Sequence, residues 1–223
     1  MKIIARIHTD FSTKFGIPRQ SGMIETLKGR IVFEPGYRNA EALRGLEGFS
    51  HIWLIWKFTE TLRVDWSPMV RPPRLGGNKR LGVFATRSPF RPNPIGLSSV
   101  RLERIELRTP EGPVLHVLGA DLMDGTPIYD IKPYIVYADS HPDAVSGFVE
   151  PLEESELSVD LPEALLAEIP GEKCTALKEV LANDPRPSYQ DDPERVYGIT
   201  FAGMNIRFTV KGKKLTVTDI TRQ

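Results

Sequence analysis

The chain has 223 residues with 29 lysines and arginines against 29 aspartates and glutamates, so its formal charge is zero. Hydrophobic content of 40 % with 26 % charged residues excludes a disordered or fibrous chain, and a single cysteine excludes an internal disulfide or a thiolate-rich metal site. The neutrality is a cancellation. Residues 1–142 hold 20 basic and 14 acidic side chains, 143–194 hold 3 and 14, and 195–223 hold 6 and 1; such asymmetry leaves a polyanion-binding face open.

In chain order, Met1-Lys2-Ile3-Ile4-Ala5-Arg6 reaches a charge before any signal-peptide apolar region forms. No apolar run approaches the ~20 residues needed to cross a bilayer. The expectation is a soluble cytoplasmic protein with no membrane partner. Lys2–His8 reads as a short strand, and Leu27–Phe33 as a strand ended by Pro35-Gly36. Asn39 caps a short helix over Ala40–Leu46. His51–Phe58 is apolar on both faces, as in a strand buried between two layers. Leu81–Thr86, Leu97–Leu107 and Val114–Leu122 continue the pattern, with a turn at Pro110–Pro113. Many short strands with little helix predict a closed or strongly curved sheet.

Beyond His141 the chain is acidic and dotted with proline. Helical spacing over Glu163–Leu181 breaks at Pro170-Gly171, and Tyr197–Phe201, Ile206–Val210 and Leu215–Thr218 read as three strands. The expected fold is mainly β: a small closed barrel domain over 1–142 and a smaller α+β domain over 143–223.

The common catalytic motifs are missing. No dinucleotide-binding glycine pattern, phosphate loop or His-Glu-x-x-His occurs, and no serine sits in a nucleophile elbow. His8, His51, His116 and His141 are scattered, so no metal is expected. Cys174 reads as a core or interface side chain. The strongest feature lies between Asp65 and Glu103, where 37 residues hold no acid and seven bases: Arg71, Arg74, Lys79, Arg80, Arg87, Arg91 and Arg101. Arginines on proline-stiffened, glycine-bearing loops suit bidentate phosphate contacts. A solvated loop pairing with the acidic segment would explain the bases but not the glycines and prolines. Phe15–Gly22 and Asp121–Tyr134 are also richer than a scaffold needs, the latter placed to form a barrel rim.

Together Lys14–Gly22, Arg44–Trp53, Arg71–Ile95 and Asp121–Tyr134 resemble the bacterial tRNA adenosine-37 N6-methyltransferase family. Asp184-Pro-Arg-Pro-Ser-Tyr189 is similar to a short motif of its longer members. The likeness is nearly continuous over the first 140 residues and sparse beyond. It implies a small β-barrel that binds S-adenosylmethionine, works as a homodimer and methylates N6 of threonylcarbamoyladenosine beside the anticodon. The implied cofactor residues are Pro18, Arg19, Gln20, Thr59, Glu60, Arg87, Leu97, Asp124, Gly125, Thr126 and Pro127. Thr59-Glu60 stands where many relatives have His-Gln.

The chemistry asks for alignment of nucleophile and methyl group rather than a metal. Asp130 is the first candidate to take the proton from the target nitrogen and Asp124 the second, with Lys132 and Tyr134 orienting the modified base. Arg71, Arg74, Lys79, Arg80 and Arg91 are the expected contacts to the tRNA anticodon loop, Arg91 also to the threonyl carboxylate. Two other readings remain at this stage. One is a non-catalytic nucleotide- or RNA-binding barrel, and the other a methyltransferase for a different small or protein substrate.

Overall fold

A computed structural model describes residues 1–60, 66–72, 75, 78–149, 156–186 and 192–222. Of the sequence-predicted positions, Arg74 and the last three residues of the Asp184–Tyr189 motif lie outside these. The described strands are β1 (Ala5–His8), β2 (Lys28–Phe33), β3 (His51–Lys57), β4 (Met69–Val70), β5 (Leu81–Gly82) and β6 (Ile95–Glu106). They continue with β7 (Val114–Leu118), β8 (Thr126–Pro133), β9 (Ser158–Asp160), β10 (Tyr197–Phe201), β11 (Met204–Lys211) and β12 (Lys214–Arg222). Among the described residues three α-helices accompany them: α1 (Val136–Asp139), α2 (Glu163–Leu166) and α3 (Gly171–Ala182).

Six strands close a barrel in the order β1-β2-β7-β6-β3-β8, with every neighbouring pair antiparallel. Closure removes the exposed sheet edges on which such short strands would otherwise aggregate. Along β3, Ile52, Leu54 and Trp56 are buried inside while Trp53 and Ile55 are only partly covered. The aromatic strand is therefore a barrel wall and not a strand between two layers; its outer apolar residues are what misled the pattern.

Gly96 makes room for the largest interior side chain. It pairs with Trp56 across β3 and β6, and a Cβ built on it would fall 2.2 Å from the Trp56 indole. The expected helix over 40–46 is instead two single 3₁₀ turns, Ala40–Leu43 and Leu46–Gly48. Gly45 separates them at φ 90°, a left-handed conformation that stops helix propagation. Asn39 does cap the first turn, its carboxamide accepting the Glu41 N–H at 3.0 Å.

A second sheet runs β10-β11-β12-β9. β9, parallel to β12, is three residues long, too short to show an alternation in sequence. The helical stretch breaks at Pro170 as its sequence indicates, giving α2 and α3. α3 buries Ala176, Leu177, Val180 and Leu181 in a core shared with the sheet, and Phe11, Ile24 and Leu27 enter the same core from the β1–β2 connection. Lys173 Nζ sits 2.7 and 2.6 Å from the two Asp10 carboxylate oxygens, and the Ala202 N–H donates to the Asp10 carbonyl at 2.7 Å.

Gly96→Ala tests the Trp56 packing. The added methyl meets a buried ring with nowhere to move, so the unfolding midpoint in denaturant should fall by an equivalent of about 1–3 kcal/mol.

Candidate active site

The antiparallel barrel order puts the C-terminal ends of β1, β3 and β7 and the N-terminal ends of β2, β6 and β8 on one rim. The connections 9–27, 58–94 and 119–125 all leave from it. Each contributes one member of a polar cluster. Arg87 from the second donates to the Gln20 side-chain carbonyl of the first, and Asp121 from the third lies within the electrostatic reach of Arg87.

Asp121 is fixed from below. Its carboxylate accepts the Ser98 hydroxyl at 2.6 Å, and Ser98 in turn accepts the Trp56 indole N–H at 3.0 Å. Ser98 is 1 % exposed, so this chain runs through the barrel core. Burial pushes the Asp121 carboxyl above the usual carboxylate range; the Ser98 hydroxyl, backbone N–H groups of Asp121 and Ser21, and Arg87 oppose that shift without cancelling it. Asp121 opens the acidic segment noted in the sequence, yet neither it nor Ser98 stood among the expected site residues. Their partnership spans 23 positions, and no local pattern announces it.

Around this cluster the same rim carries Pro18, buried, and Arg19, exposed. Thr59 and Glu60, both exposed, leave β3 just after Phe58, whose N–H donates to the Pro94 carbonyl at 3.0 Å. Leu97, 52 % exposed, offers an apolar surface at the start of β6. Asp124 accepts the Thr9 N–H at 3.1 Å and lies 3.2 Å from His8 Nδ1. Gly125 follows in the turn, and Thr126 and Pro127 begin β8 as buried residues. On its far side Asp124 borders a cleft of about 380 Å³, lined also by Thr9, Asp10, Ser12, Pro170 and Lys173.

Asp130, Lys132 and Tyr134 lie elsewhere. Asp130 pairs with Ile55 and Lys132 with Trp53 on the outer wall, where the two side chains form a 3.0 Å ion pair. The Tyr134 N–H donates to His51, and its ring packs 5.5 Å from that of Trp53. Eight residue steps separate Thr126 from Tyr134, roughly 25 Å at the usual strand rise. Within one copy the structure does not bring Lys132 and Tyr134 to the rim. The Ile135 N–H and the Trp53 indole hold the nearby Asp139 carboxyl below its usual range.

Arg71, Lys79 and Arg80 are exposed. Arg91 is half-buried, its Nη1 donating to the carbonyls of Thr86 at 3.0 Å and Ser88 at 3.4 Å. Among the described residues no group of three or more His, Cys, Asp or Glu side chains is arranged to hold a metal ion, and no helix is long and apolar enough to cross a membrane.

A family model described as the tRNA-methyltransferase O (TrmO) N-terminal domain matches residues 6–140, and one described as the TrmO C-terminal domain matches residues 155–223. The chain belongs to the TrmO family. Two relatives are similar over nearly the whole length. The tRNA (adenine(37)-N6)-methyltransferase of Escherichia coli (strain K12) is 40 % identical over 219 residues, covering 93 % of this chain and 91 % of the relative. A Pseudomonas aeruginosa protein whose name carries the words S-adenosylmethionine-dependent methyltransferase is 40 % identical over 212 residues, 92 % of this chain and 90 % of its own. The crystal structure of TrmO from Pseudomonas aeruginosa superposes with a TM-score of 0.78 at 32 % identity, covering 98 % of this chain and 97 % of that one.

The raised Asp121 carboxyl sets an expected pH dependence. Because the fold favours its neutral form, its contribution to stability is complete below the ordinary value of 3.8 and is lost as the pH rises through the raised value. Asp121→Asn keeps an acceptor for Ser98 and removes the buried charge. Its urea midpoint at pH 7 should equal or exceed that of the wild type, and the difference should shrink as the pH falls toward 3.8.

Proposed function

We propose that this protein is an S-adenosylmethionine-dependent tRNA methyltransferase that adds a methyl group to N6 of adenosine 37, on a base already carrying the threonylcarbamoyl group. The observation that carries the reading is the convergence of Gln20, Arg87 and Asp121 on one barrel rim in a chain of the TrmO family. The reading includes a catalytic barrel domain over 1–142, a second domain over 143–223, work in the cytoplasm and a homodimer. Relatives named as methyltransferases favour it over a non-catalytic binding barrel.

The rim suits S-adenosylmethionine by the charge and type of its side chains. Arg87 and Arg19 offer cations for the ligand's carboxylate, while Asp121 and Glu60 offer anions for its ammonium and sulfonium. Leu97 gives an apolar face for the adenine, and the Asp124–Pro127 turn brings backbone groups close. When bound, the cofactor supplies a methyl group already activated toward displacement. What remains for the protein is to align the attacking nitrogen and exclude water, effects worth ~7–11 kcal/mol of barrier at best. Asp121, held by Ser98 and Trp56, cannot swing to follow a misplaced ligand.

The proton of the target nitrogen falls to Asp124 if one copy suffices, since Asp124 already stands on the rim. Asp130 takes it only if a second copy presents its outer wall there. The same condition applies to Lys132 and Tyr134 as residues that orient the modified base. Arg71, Arg74, Lys79 and Arg80 are assigned to tRNA phosphates, and Arg91 to the threonyl carboxylate through guanidinium nitrogens other than Nη1.

Purified protein with labelled S-adenosylmethionine should transfer methyl to tRNA bearing the threonylcarbamoyl group and far less to tRNA lacking it. Transfer to neither would sink the reading, and equal transfer to both would remove the carboxylate contact from it. Two substitutions separate the assigned sites. Arg87→Ala should weaken cofactor binding by tenfold or more by calorimetry, as for a lost charge-assisted contact. Arg80→Ala should leave cofactor binding intact and reduce the slope of log K against log salt for tRNA by up to ~0.9.

A further inference from the structure

The hairpin β4–β5 carries a feature that the cofactor site does not use. Trp66 precedes its first strand and Phe84 follows its second, and their rings lie against each other with centroids 6.1 Å apart and planes 26° from parallel. Both are open to solvent, Trp66 at 48 % and Phe84 at 72 %, and Met69, the first residue of β4, is exposed too. Large aromatic rings in this state lose hydrophobic stabilisation that burial would give them.

Their supports are rigid. Met69 pairs with Gly82 and Val70 with Leu81, and the Val83 N–H donates to the Pro68 carbonyl at 3.0 Å. Phe84 stands on a single 3₁₀ turn, Val83–Ala85, whose Val83 is 1 % exposed and anchors it from below. The Thr86 N–H and hydroxyl both donate to the Val83 carbonyl, and Arg91 ties down the Thr86 carbonyl. These contacts fix the backbone beneath Phe84.

We propose that Trp66 and Phe84 form a stacking platform for an unpaired nucleobase of the RNA, next to the base that enters the cofactor rim. The proposal rests on the tRNA-methyltransferase reading and gives it a base-contacting surface besides the phosphate contacts. Charge complementarity selects RNA as the occupant: Arg71 follows β4 directly, Arg80 precedes β5 directly, and no acid occurs across 66–102. Position agrees. Phe84 is three residues from Arg87, so their Cα atoms are at most about 11 Å apart. An enzyme that extracts one base from a stack leaves its neighbours unsupported, and an aromatic face replaces the lost stacking. The two rings are too close to admit a base between them, which would need about twice the 3.4 Å stacking rise. The base therefore lands on an outer face of the pair.

The test uses the full chain with a synthetic anticodon stem-loop RNA, at several salt concentrations. Phe84→Ala and Trp66→Ala should each weaken RNA binding about tenfold, the usual effect of removing one stacking ring. The slope of log K against log salt should stay at its wild-type value, Phe84→Tyr should restore affinity, and cofactor affinity should not change. Arg80→Ala should do the reverse, lowering the slope. If wild-type protein binds and methylates tRNA while both alanine variants bind the stem-loop as tightly as it does, the platform is wrong and the enzyme reading stands. If the variants instead shift the sedimenting mass toward a single chain with RNA affinity per copy unchanged, the rings cover a second copy and the proposal is overturned. Failure of the wild type to methylate tRNA is a separate result that removes the reading itself.

Discussion

A chain of two hydrogen bonds, from the Trp56 indole to the Ser98 hydroxyl and from Ser98 to the Asp121 carboxylate, joins the barrel core to its rim. Each link depends on the one beneath it. Trp56 can occupy the interior only because Gly96 has no side chain, and its indole N–H, buried, needs an acceptor. Ser98, two residues along the same strand from Gly96, supplies it. The hydroxyl then has one hydrogen bond to donate, and the Asp121 carboxylate accepts it. A carboxyl is thereby held partly buried at the mouth of the barrel, with an electrostatic cost that hydrogen bonds and the Arg87 charge offset only in part. Core packing and site electrostatics are the same structure here.

The rim needs its loops held as firmly as its floor. The connection 9–27 is long and has no strand or helix of its own, yet it carries Pro18, Arg19 and Gln20. Its order comes from being packed on two sides. Gly22 donates to the Gly119 carbonyl at 2.9 Å on the barrel side. On the other side Phe11 meets Phe201 edge to face at 5.4 Å, Asp10 is paired with Lys173, and Thr26 donates to Glu179. Such an arrangement makes the second sheet and α3 a mould for the loop, whatever else they contact. Burial of Asp10 and Lys173 keeps their pair less screened than a surface pair.

The residues show why some of this was legible in the sequence. The barrel wall announced itself because alternation in Leu27–Phe33 and the turn glycines and prolines are local signals. The rim residues Gln20 and Arg87 lie in unusual segments whose resemblance is spread over many positions, so they too were in view. Asp121 and Ser98 were not. Ser98 is one small residue in a long strand, and its importance lies in facing Trp56 from the neighbouring strand. Thr59, Glu60 and Leu97 follow from where β3 ends and β6 begins, whereas Lys132 and Tyr134 belong to the same family-like segment as Asp124 but lie on the outer wall of β8 and just beyond it. A strand carries its residues steadily away from the rim, and a motif that continues along it straddles the barrel wall.

The basic interval shows how a sequence count resolves into separate roles. Of seven bases in an acid-free interval, five are expected at the tRNA and Arg87 at the cofactor. Arg87 turns to the rim and meets Gln20. Arg91 turns inward and spends Nη1 on loop carbonyls, so part of its charge is engaged in holding the Thr86–Ser88 bend. Arg101 sits in β6 opposite His51, at the far end of the wall from Gly96. Of the described bases, Arg71, Lys79 and Arg80 are left on the hairpin side, flanking β4 and β5. Absence of acids matters for all of them, but for different reasons: a nearby carboxylate would compete for the loop arginine, neutralise the rim arginine, or repel a phosphate from the hairpin. The absence of local acids is therefore a common requirement of three neighbouring structures, and the exposed hairpin bases Arg71, Lys79 and Arg80 present their charge to solvent.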